Sequence, residues 1–132
     1  MADGWMIELG ELDEKMGVTV LEQSAERVVA TMPVEGNRQS FGLLHGGASV
    51  AFAEAIGSWA AVIHAGPNRT AVGVDINATH HASARSGTVT GVATAIRLGR
   101  TMTSHEVVVT DDEGRRLCTA RITNLILDKP HG

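Results

Sequence analysis

Two features of the sequence could act together on a carbonyl compound: a glycine pair where a helix is expected to begin, and a carboxylate eight residues later. His45-Gly46-Gly47 lies where a loop gives way to an Ala-rich segment, residues 48–65. The first N–H groups of a helix have no intrahelical acceptor and lie at the positive end of the helix dipole. Because glycine has no side chain, these N–H groups are expected to be open and able to polarise a carbonyl oxygen. A tight turn onto the helix is the alternative explanation.

Glu54 is the carboxylate, and it stands in the middle of the apolar segment between Ala53 and Ala55. We expect it to be buried, because a charged group placed among apolar residues commonly serves as a base or nucleophile. Ser58 follows four residues later on the same helix face, where it could orient the carboxylate or a water molecule. A solvated polar stripe along one side of the helix is the alternative.

The spacing between Gly46 and Glu54 bears on the number of subunits. Eight residues span about 12 Å along a helix. A carboxylate cannot easily reach a carbonyl held at the start of its own helix, but it could reach one held by a second copy whose helix runs antiparallel. If both residues are catalytic, we therefore expect at least a dimer, with each site spanning two subunits.

The remaining candidates are histidines and arginines in the second half of the chain. His80 and His81 are adjacent on a predicted strand, so their side chains point to opposite faces and cannot share one metal ion. We expect no metal site and no metal or redox cofactor. Arg85 and Arg100 lie in predicted turns, Arg100 next to Thr101, and forked guanidinium donors could bind phosphates there. Solvated surface arginines are the alternative.

The elements that must position these residues are one long helix and several strands with two-residue alternation. They predict an α+β fold in which a mainly antiparallel sheet wraps a central helix, with small strand residues allowing close approach. The predicted elements are a short helix over residues 8–16 ended by Gly17, a long helix to about His64, strands over 18–22, 27–34, 72–79, 88–98, 103–110 and 117–127, and a hairpin turn over 111–114.

Composition excludes several classes of function. The 132 residues, 43% hydrophobic, suit one domain over 1–132. The net charge of −4 and the 3% aromatic content argue against a nucleic-acid partner. Cys118 is the one cysteine, which excludes an intrachain disulfide, and we expect it to pack as a small apolar side chain. Glu54 within the apolar segment argues against a membrane span, and residues 1–10 lack a signal-peptide pattern, so a cytoplasmic protein is expected.

A family resemblance joins these features. The chain resembles the hotdog-fold acyl-CoA thioesterases of the PaaI-like, hydroxybenzoyl-CoA thioesterase group. Within that group it is most similar to the hydrolases of 1,4-dihydroxy-2-naphthoyl-CoA in menaquinone biosynthesis and to the proofreading thioesterases of the enterobactin pathway. The resemblance covers nearly all residues after Val18, and it is carried by residues 39–49 (QSFGLLHGGAS), Ala53-Glu54, Gly57-Ser58, residues 75–81 (DINATHH), Leu98-Gly99-Arg100 and residues 112–116 (DEGRR).

The resemblance implies a sheet wrapped around one long helix, paired into homodimers and often into homotetramers. It implies hydrolysis of an acyl-CoA, with an aromatic acyl group, to a free acid and coenzyme A. Gln39 and the Gly46 N–H would bind the thioester carbonyl, and His45 would position the thioester. Glu54 of the partner would act as nucleophile or general base, and Ser58 would hold the attacking water or the carboxylate. The expected substrate-binding residues are Phe41, Gly47, His80, His81, Arg85, Arg100 and Thr101.

Two other functions use the same fold. A noncatalytic acyl-CoA-binding hotdog protein would need no carboxylate of the kind that Glu54 provides. A hotdog hydratase or dehydratase of enoyl-CoA would need an acid and a base at one carbon, of which His80 could supply one.

Overall fold

One six-stranded sheet and one long helix position the candidate residues. The computed structural model of the chain describes residues 7–129. The elements in chain order are α1 (Glu11–Met16), β1 (Thr19–Gln23), β2 (Arg27–Pro33), α2 (Gly46–Ala65), β3 (Arg69–His80), β4 (Thr88–Leu98), β5 (Met102–Thr110) and β6 (Arg116–Asp128).

The sheet has the strand order β1-β2-β4-β5-β6-β3, and each neighbouring pair is antiparallel. The predicted α+β architecture is therefore confirmed. The two strands that flank α2 in sequence, β2 and β3, lie far apart in the sheet, and α2 crosses one face of the sheet between them. The α2 residues buried there are Ser49, Phe52, Ala53, Ile56, Gly57, Ala60 and Ala61.

Glycines bring α2 close to the sheet. A Cβ atom on Gly57 would overlap Cγ2 of Ile122 on β6. A Cβ atom on Gly91 of β4 would lie 2.7 Å from the Phe52 ring. The expectation that small residues permit close approach is confirmed at both positions. Helix α2 also has the length and apolar composition of a membrane span, but a core helix meets the same criteria, and the sheet covers one side of this one.

Helix α1 is shorter than predicted at its start. Gly10 is extended, with φ −80° and ψ 173°, and its N–H donates to Asp13 Oδ2 at 2.8 Å. The helix therefore begins after Gly10 rather than at Glu8. It ends as predicted, at Gly17 in the left-handed region with φ 78°.

Strand β3 forms one edge of the sheet, and much of it is exposed. The exposed fractions of Val72 and Val74 are 44% and 51%. A bulge lies at this point, since Gly73 pairs with Asn124 and Asp75 with Thr123, which leaves Val74 without a partner on β6. Exposed apolar residues on an unpaired edge are a template for another strand, and bulges often occur beside active sites.

Candidate active site

The start of α2 presents one open N–H group rather than two. His45 is the N-cap residue, and its Nδ1 accepts a hydrogen bond of 2.8 Å from the Gly47 N–H. The expectation that the Gly47 N–H is open is therefore wrong, because the cap already uses it. The Gly46 N–H has no acceptor within residues 7–129. Since Nδ1 accepts, a neutral His45 ring carries its proton on Nε2.

The loop before the helix fixes the orientation of Gln39. Its Oε1 accepts from the N–H groups of Phe41 and Leu43, the latter at 3.1 Å. Its main-chain N–H donates to the Leu43 carbonyl at 2.7 Å, which closes the turn. Because the carboxamide oxygen is used within the loop, the Nε2 amine is the end that can donate to another group.

Gln39, Gly46 and His80 meet around a cavity of about 220 Å³. His80 ends β3 above the helix start, and its Nε2 would lie 3.1 Å from a Cβ atom built on Gly46. Gly46 and Gln39 therefore border the same cavity, and their free donors suit a carbonyl or an oxyanion bound there. The other lining residues are Leu43, Leu44, Ser49, Ala82, Ser83, Ala84 and Leu117.

A larger groove of about 610 Å³ continues from this cavity and shares Leu43 and residues 82–84 with it. Arg85 and Arg115 line the groove. Arg115 pairs with Asp111 at 3.0 Å, and the pKa of Asp111 is lowered chiefly because the Arg115 backbone N–H donates to its carboxylate. The groove contains no helix start, so the smaller cavity is the candidate carbonyl site.

Glu54 lies outside the cavity and is exposed within this chain. The expectation of burial is therefore not met by one chain. The reason is geometric, since Ala53 and Ile56 turn toward the sheet and Glu54 turns toward the β3 edge. Its Oε2 would lie 3.3 Å from a Cβ atom on Gly73, so the carboxylate stands over the bulge in β3.

Ser58 lies on the same side of α2 and has a partner that the sequence analysis missed. The Nδ2 of Asn124 on β6 donates to Ser58 Oγ at 3.0 Å, and Asn124 is fully buried. The signal in the sequence was an amide at an inward position of a strand, between Ile122 and Ile126, both buried. Hydrophobic alternation alone does not assign such an amide a function.

The other predicted substrate-binding residues lie apart from the cavity. His81 points away from His80, as expected, and its Nε2 lies 2.9 Å from Thr119 Oγ1. Phe41 is 82% exposed at the tip of the Gln39 loop. Arg100 and Thr101 form the β4–β5 turn near the end of α2, where the Arg100 carbonyl accepts from Arg69 at 3.0 Å. Arg100 and Thr101 therefore cannot be assigned to a substrate bound in the cavity of the same chain, because neither residue lines that cavity.

The metal-ligand residue types and the cysteine add no group to the site. Within residues 7–129 no group of three His, Cys, Asp or Glu side chains could hold a metal ion. Cys118 is buried in the hydrophobic core, as expected, and burial raises the pKa of its thiol.

The sequence is similar to a known protein family and to individual members of it. The family model of the thioesterase superfamily matches residues 41–118. The chain is 40% identical over 120 residues to a protein named proofreading thioesterase EntH from Cronobacter sakazakii, covering 90% of this chain and 88% of that protein.

Two solved structures are also similar. A thioesterase from Haemophilus influenzae superimposes with a TM-score of 0.86 at 37% identity, covering 92% of this chain and 87% of the other. A glutamine-to-alanine variant of a thioesterase from Pseudomonas aeruginosa gives a TM-score of 0.84 at 37% identity, covering 89% and 86%. They confirm the hotdog fold that the resemblance implied.

Proposed function

The chain belongs to the thioesterase superfamily, and we propose that it hydrolyses the thioester of an acyl-CoA to a free acid and coenzyme A. The observation that carries the proposal is the pair of free donors at the cavity, the Gly46 N–H and the Gln39 amine, on a chain that also carries Glu54 on its central helix. Hydrolysis of a thioester needs this combination, because negative charge develops on the carbonyl oxygen while a carboxylate acts at the carbon.

The carbonyl oxygen would bind between the Gly46 N–H and Gln39 Nε2. These donors are held before the substrate arrives, since α2 fixes the first and the loop hydrogen bonds fix the second. Preorganised donors stabilise the developing oxyanion without reorganisation during the reaction. His45 holds the geometry by capping the helix through Gly47.

The carboxylate would come from Glu54 of a second copy. The unpaired edge of β3, with exposed Val72 and Val74, supports pairing of two copies there. The second copy would then bury Glu54, which lies beside Gly73 of β3. The start of the partner's α2 would then supply the bound carbonyl. Homodimers with two shared sites follow, and we propose that these dimers associate further into homotetramers.

Two routes lead to the same products. In one, a Glu54 oxygen attacks the thioester carbon, and the C–S bond breaks with the electrons going to sulfur. Water then hydrolyses the resulting anhydride to the free acid and the Glu54 carboxylate, and the proton released in this step passes to the thiolate. In the other, Glu54 removes a proton from water, the hydroxide adds to the carbon, and the proton passes to the departing sulfur. Ser58 would hold the carboxylate or the water in both routes.

An aromatic acyl group, such as hydroxybenzoyl or 1,4-dihydroxy-2-naphthoyl, is the proposed substrate class. The cavity is compact, and Leu43, Leu44 and Leu117 give it apolar walls beside the His80 ring. Flat apolar rings suit such walls. We propose that the remaining predicted residues contact the acyl group or the coenzyme A moiety of the substrate bound to a neighbouring copy. They are Phe41, His81, Arg85, Arg100 and Thr101.

The enzyme would act without a metal or redox cofactor, since water supplies the protons of the products, the two donors stabilise the oxyanion and the carboxylate acts at the thioester carbon. Its proposed location is the cytoplasm. A noncatalytic acyl-CoA binder does not explain a carboxylate held beside Ser58. A hydratase would need an acid and a base at one enoyl carbon, with His80 supplying one of them, and an enoyl-CoA substrate separates this function from thioester hydrolysis.

Steady-state assays with a panel of aryl-CoA and alkyl-CoA esters, read by release of free thiol, test the proposal. We expect thiol release, with the highest kcat/KM for aryl esters. An enoyl-CoA added to the panel tests the hydratase alternative, which would remove the enoyl chromophore without releasing thiol. Absence of thiol release from every ester would reject the hydrolase, and a preference for long alkyl esters would reject the aromatic substrate class.

A further inference from the structure

Asn124 joins the candidate catalytic face of α2 to the sheet. It lies on β6, directly opposite Gly73 of β3 and Thr103 of β5. A Cβ atom built on Gly73 would lie 3.3 Å from Glu54 Oε2 and 3.7 Å from Asn124 Nδ2. The carboxylate and the amide therefore approach the same small region beside the β3 bulge.

The hydrogen bond from Asn124 determines what Ser58 can do. Ser58 Oγ accepts from Asn124 Nδ2 at 3.0 Å. The hydroxyl still has one hydrogen to donate, and it has no acceptor for that hydrogen within residues 7–129. A serine inside a helix otherwise tends to donate to the carbonyl four residues earlier, which here belongs to Glu54. An oxygen held by Asn124 instead leaves the hydrogen free to turn toward the Glu54 side chain.

Asn124 also lowers the stability of the fold more than an apolar residue at this position would. It is fully buried, and its Oδ1 has no hydrogen-bond partner among residues 7–129. A buried carbonyl oxygen without a donor is destabilising, whereas an apolar side chain of similar size would avoid this cost. What the Asn124 side chain provides in return is the hydrogen bond from its Nδ2 to Ser58 Oγ.

We propose that Asn124 is a positioning residue for thioester hydrolysis, which holds Ser58 as a hydrogen-bond donor toward Glu54 or the water that attacks. This inference rests on the proposed function. Asn124 forms and breaks no covalent bond, and it moves no proton. Ser58 would donate to one oxygen of the Glu54 carboxylate, so that the other oxygen faces the thioester carbon or the water.

A double-mutant cycle tests this role. Asn124→Leu keeps the approximate volume and removes the donor, and Ser58→Ala removes its acceptor. We expect each change to lower kcat by about ten- to a hundredfold with little change in KM, since misplaced catalytic groups cost that much. The double variant should be no slower than Ser58→Ala, because both changes remove the same interaction. Asn124→Ala gives a second measurement if Asn124→Leu does not fold.

Thr103→Val is the matched control. Thr103 is buried beside Asn124 and its Oγ1 also lacks a partner, but it has no hydrogen bond to Ser58. We expect wild-type kcat for this variant. Wild-type kcat in Asn124→Leu, or losses that multiply in the double variant, would overturn the inference.

Glu54→Ala in the same assay separates this inference from the proposed function. Loss of turnover in Glu54→Ala but not in Asn124→Leu rejects the role of Asn124 alone. Wild-type turnover in Glu54→Ala rejects the proposed carboxylate, and the role of Asn124 with it.

Discussion

At the scale of the residue, hydrogen bonds that are already formed decide which groups remain for a substrate. The loop uses Gln39 Oε1, and the His45 cap uses the Gly47 N–H. The donors left at the cavity are Gln39 Nε2 and the Gly46 N–H. The sequence could name Gln39, His45, Gly46, Glu54 and Ser58, but it could not show which atoms of these residues were occupied. Asn124 was missed because a lone amide in a strand has no pattern.

Replacing Gln39 by alanine tests its part in carbonyl binding. Gln39→Ala removes a donor to the developing oxyanion, so we expect kcat to fall by about 10²–10³-fold. Ser40→Ala changes an exposed neighbour on the same loop and should leave kcat unchanged. Equal kcat values for Gln39→Ala and Ser40→Ala would remove Gln39 from the carbonyl site.

Glu54→Ala removes the proposed base or nucleophile. We expect turnover to fall by about 10²–10⁴-fold, which is typical of loss of a positioned base. The denaturant midpoint should stay close to that of the wild type, because Glu54 is exposed in the chain and forms no salt bridge within the described residues. Glu106→Ala, an exposed acid on β5, is the control and should keep full activity. Thiol release by Glu54→Ala at the wild-type rate would contradict the mechanism.

At the scale of the element, close packing of α2 on the sheet sets where the site residues stand. The sequence predicted all six strands, but alternation placed the third over residues 72–79, whereas β3 is Arg69–His80. The extra residues at its start are strand because they pair with the end of β6, with Arg69 opposite Asp128. Such pairing is a long-range contact that a local pattern does not contain.

Gly57→Ala tests the helix–sheet contact. The new Cβ would overlap Ile122 Cγ2, a branched atom in the core, and overpacking of this kind typically costs about 1–3 kcal/mol. The higher helix propensity of alanine returns about 1 kcal/mol of that. We therefore expect a lower free energy of unfolding in urea. Higher stability in Gly57→Ala would show that the helix and β6 can move apart freely.

His105 gives β5 a dependence of stability on pH. It is fully buried, and its Nε2 lies 2.9 Å from the Ala25 carbonyl, while its Nδ1 has no hydrogen-bond partner in the described part of the chain. Burial lowers the pKa of His105, the Ala25 carbonyl opposes this shift, and nearby His64 adds to it. The unfolded chain therefore binds a proton at higher pH than the folded chain does. The stabilisation is complete above about pH 6.5 and declines as pH falls toward the folded pKa.

Urea unfolding at pH 7.5 and pH 5.5 measures this effect. We expect a lower free energy of unfolding at pH 5.5, with a slope from this residue of at most about 1.4 kcal/mol per pH unit. His105→Gln, which does not titrate, should show a smaller decline over the same range. An equal decline in both proteins would assign the pH dependence to other groups.

At the scale of the whole molecule, the proposed mechanism requires two copies of the chain. Gly46 and Glu54 are eight residues apart on one straight helix, with the cavity at its start and Glu54 beside Gly73 of β3. Spacing alone predicted this separation. The sequence could not show that the face of Glu54 would be exposed beside an unpaired apolar edge, because the edge position of β3 depends on the strand order.

Restoration of activity between two inactive variants tests this requirement most directly. Glu54→Ala lacks the carboxylate, and Gly46→Pro lacks the donor. Proline suits the first position of a helix, although its Cβ would lie 3.1 Å from His80 Nε2, so that this side chain must shift. After the two differently tagged chains are mixed and co-purified, each heterodimer would contain one intact site. We expect about one half of wild-type thiol release per chain from the co-purified heterodimers, because one of their two sites is intact. Heterodimers that form but release no more thiol than either variant alone would contradict a site shared between subunits.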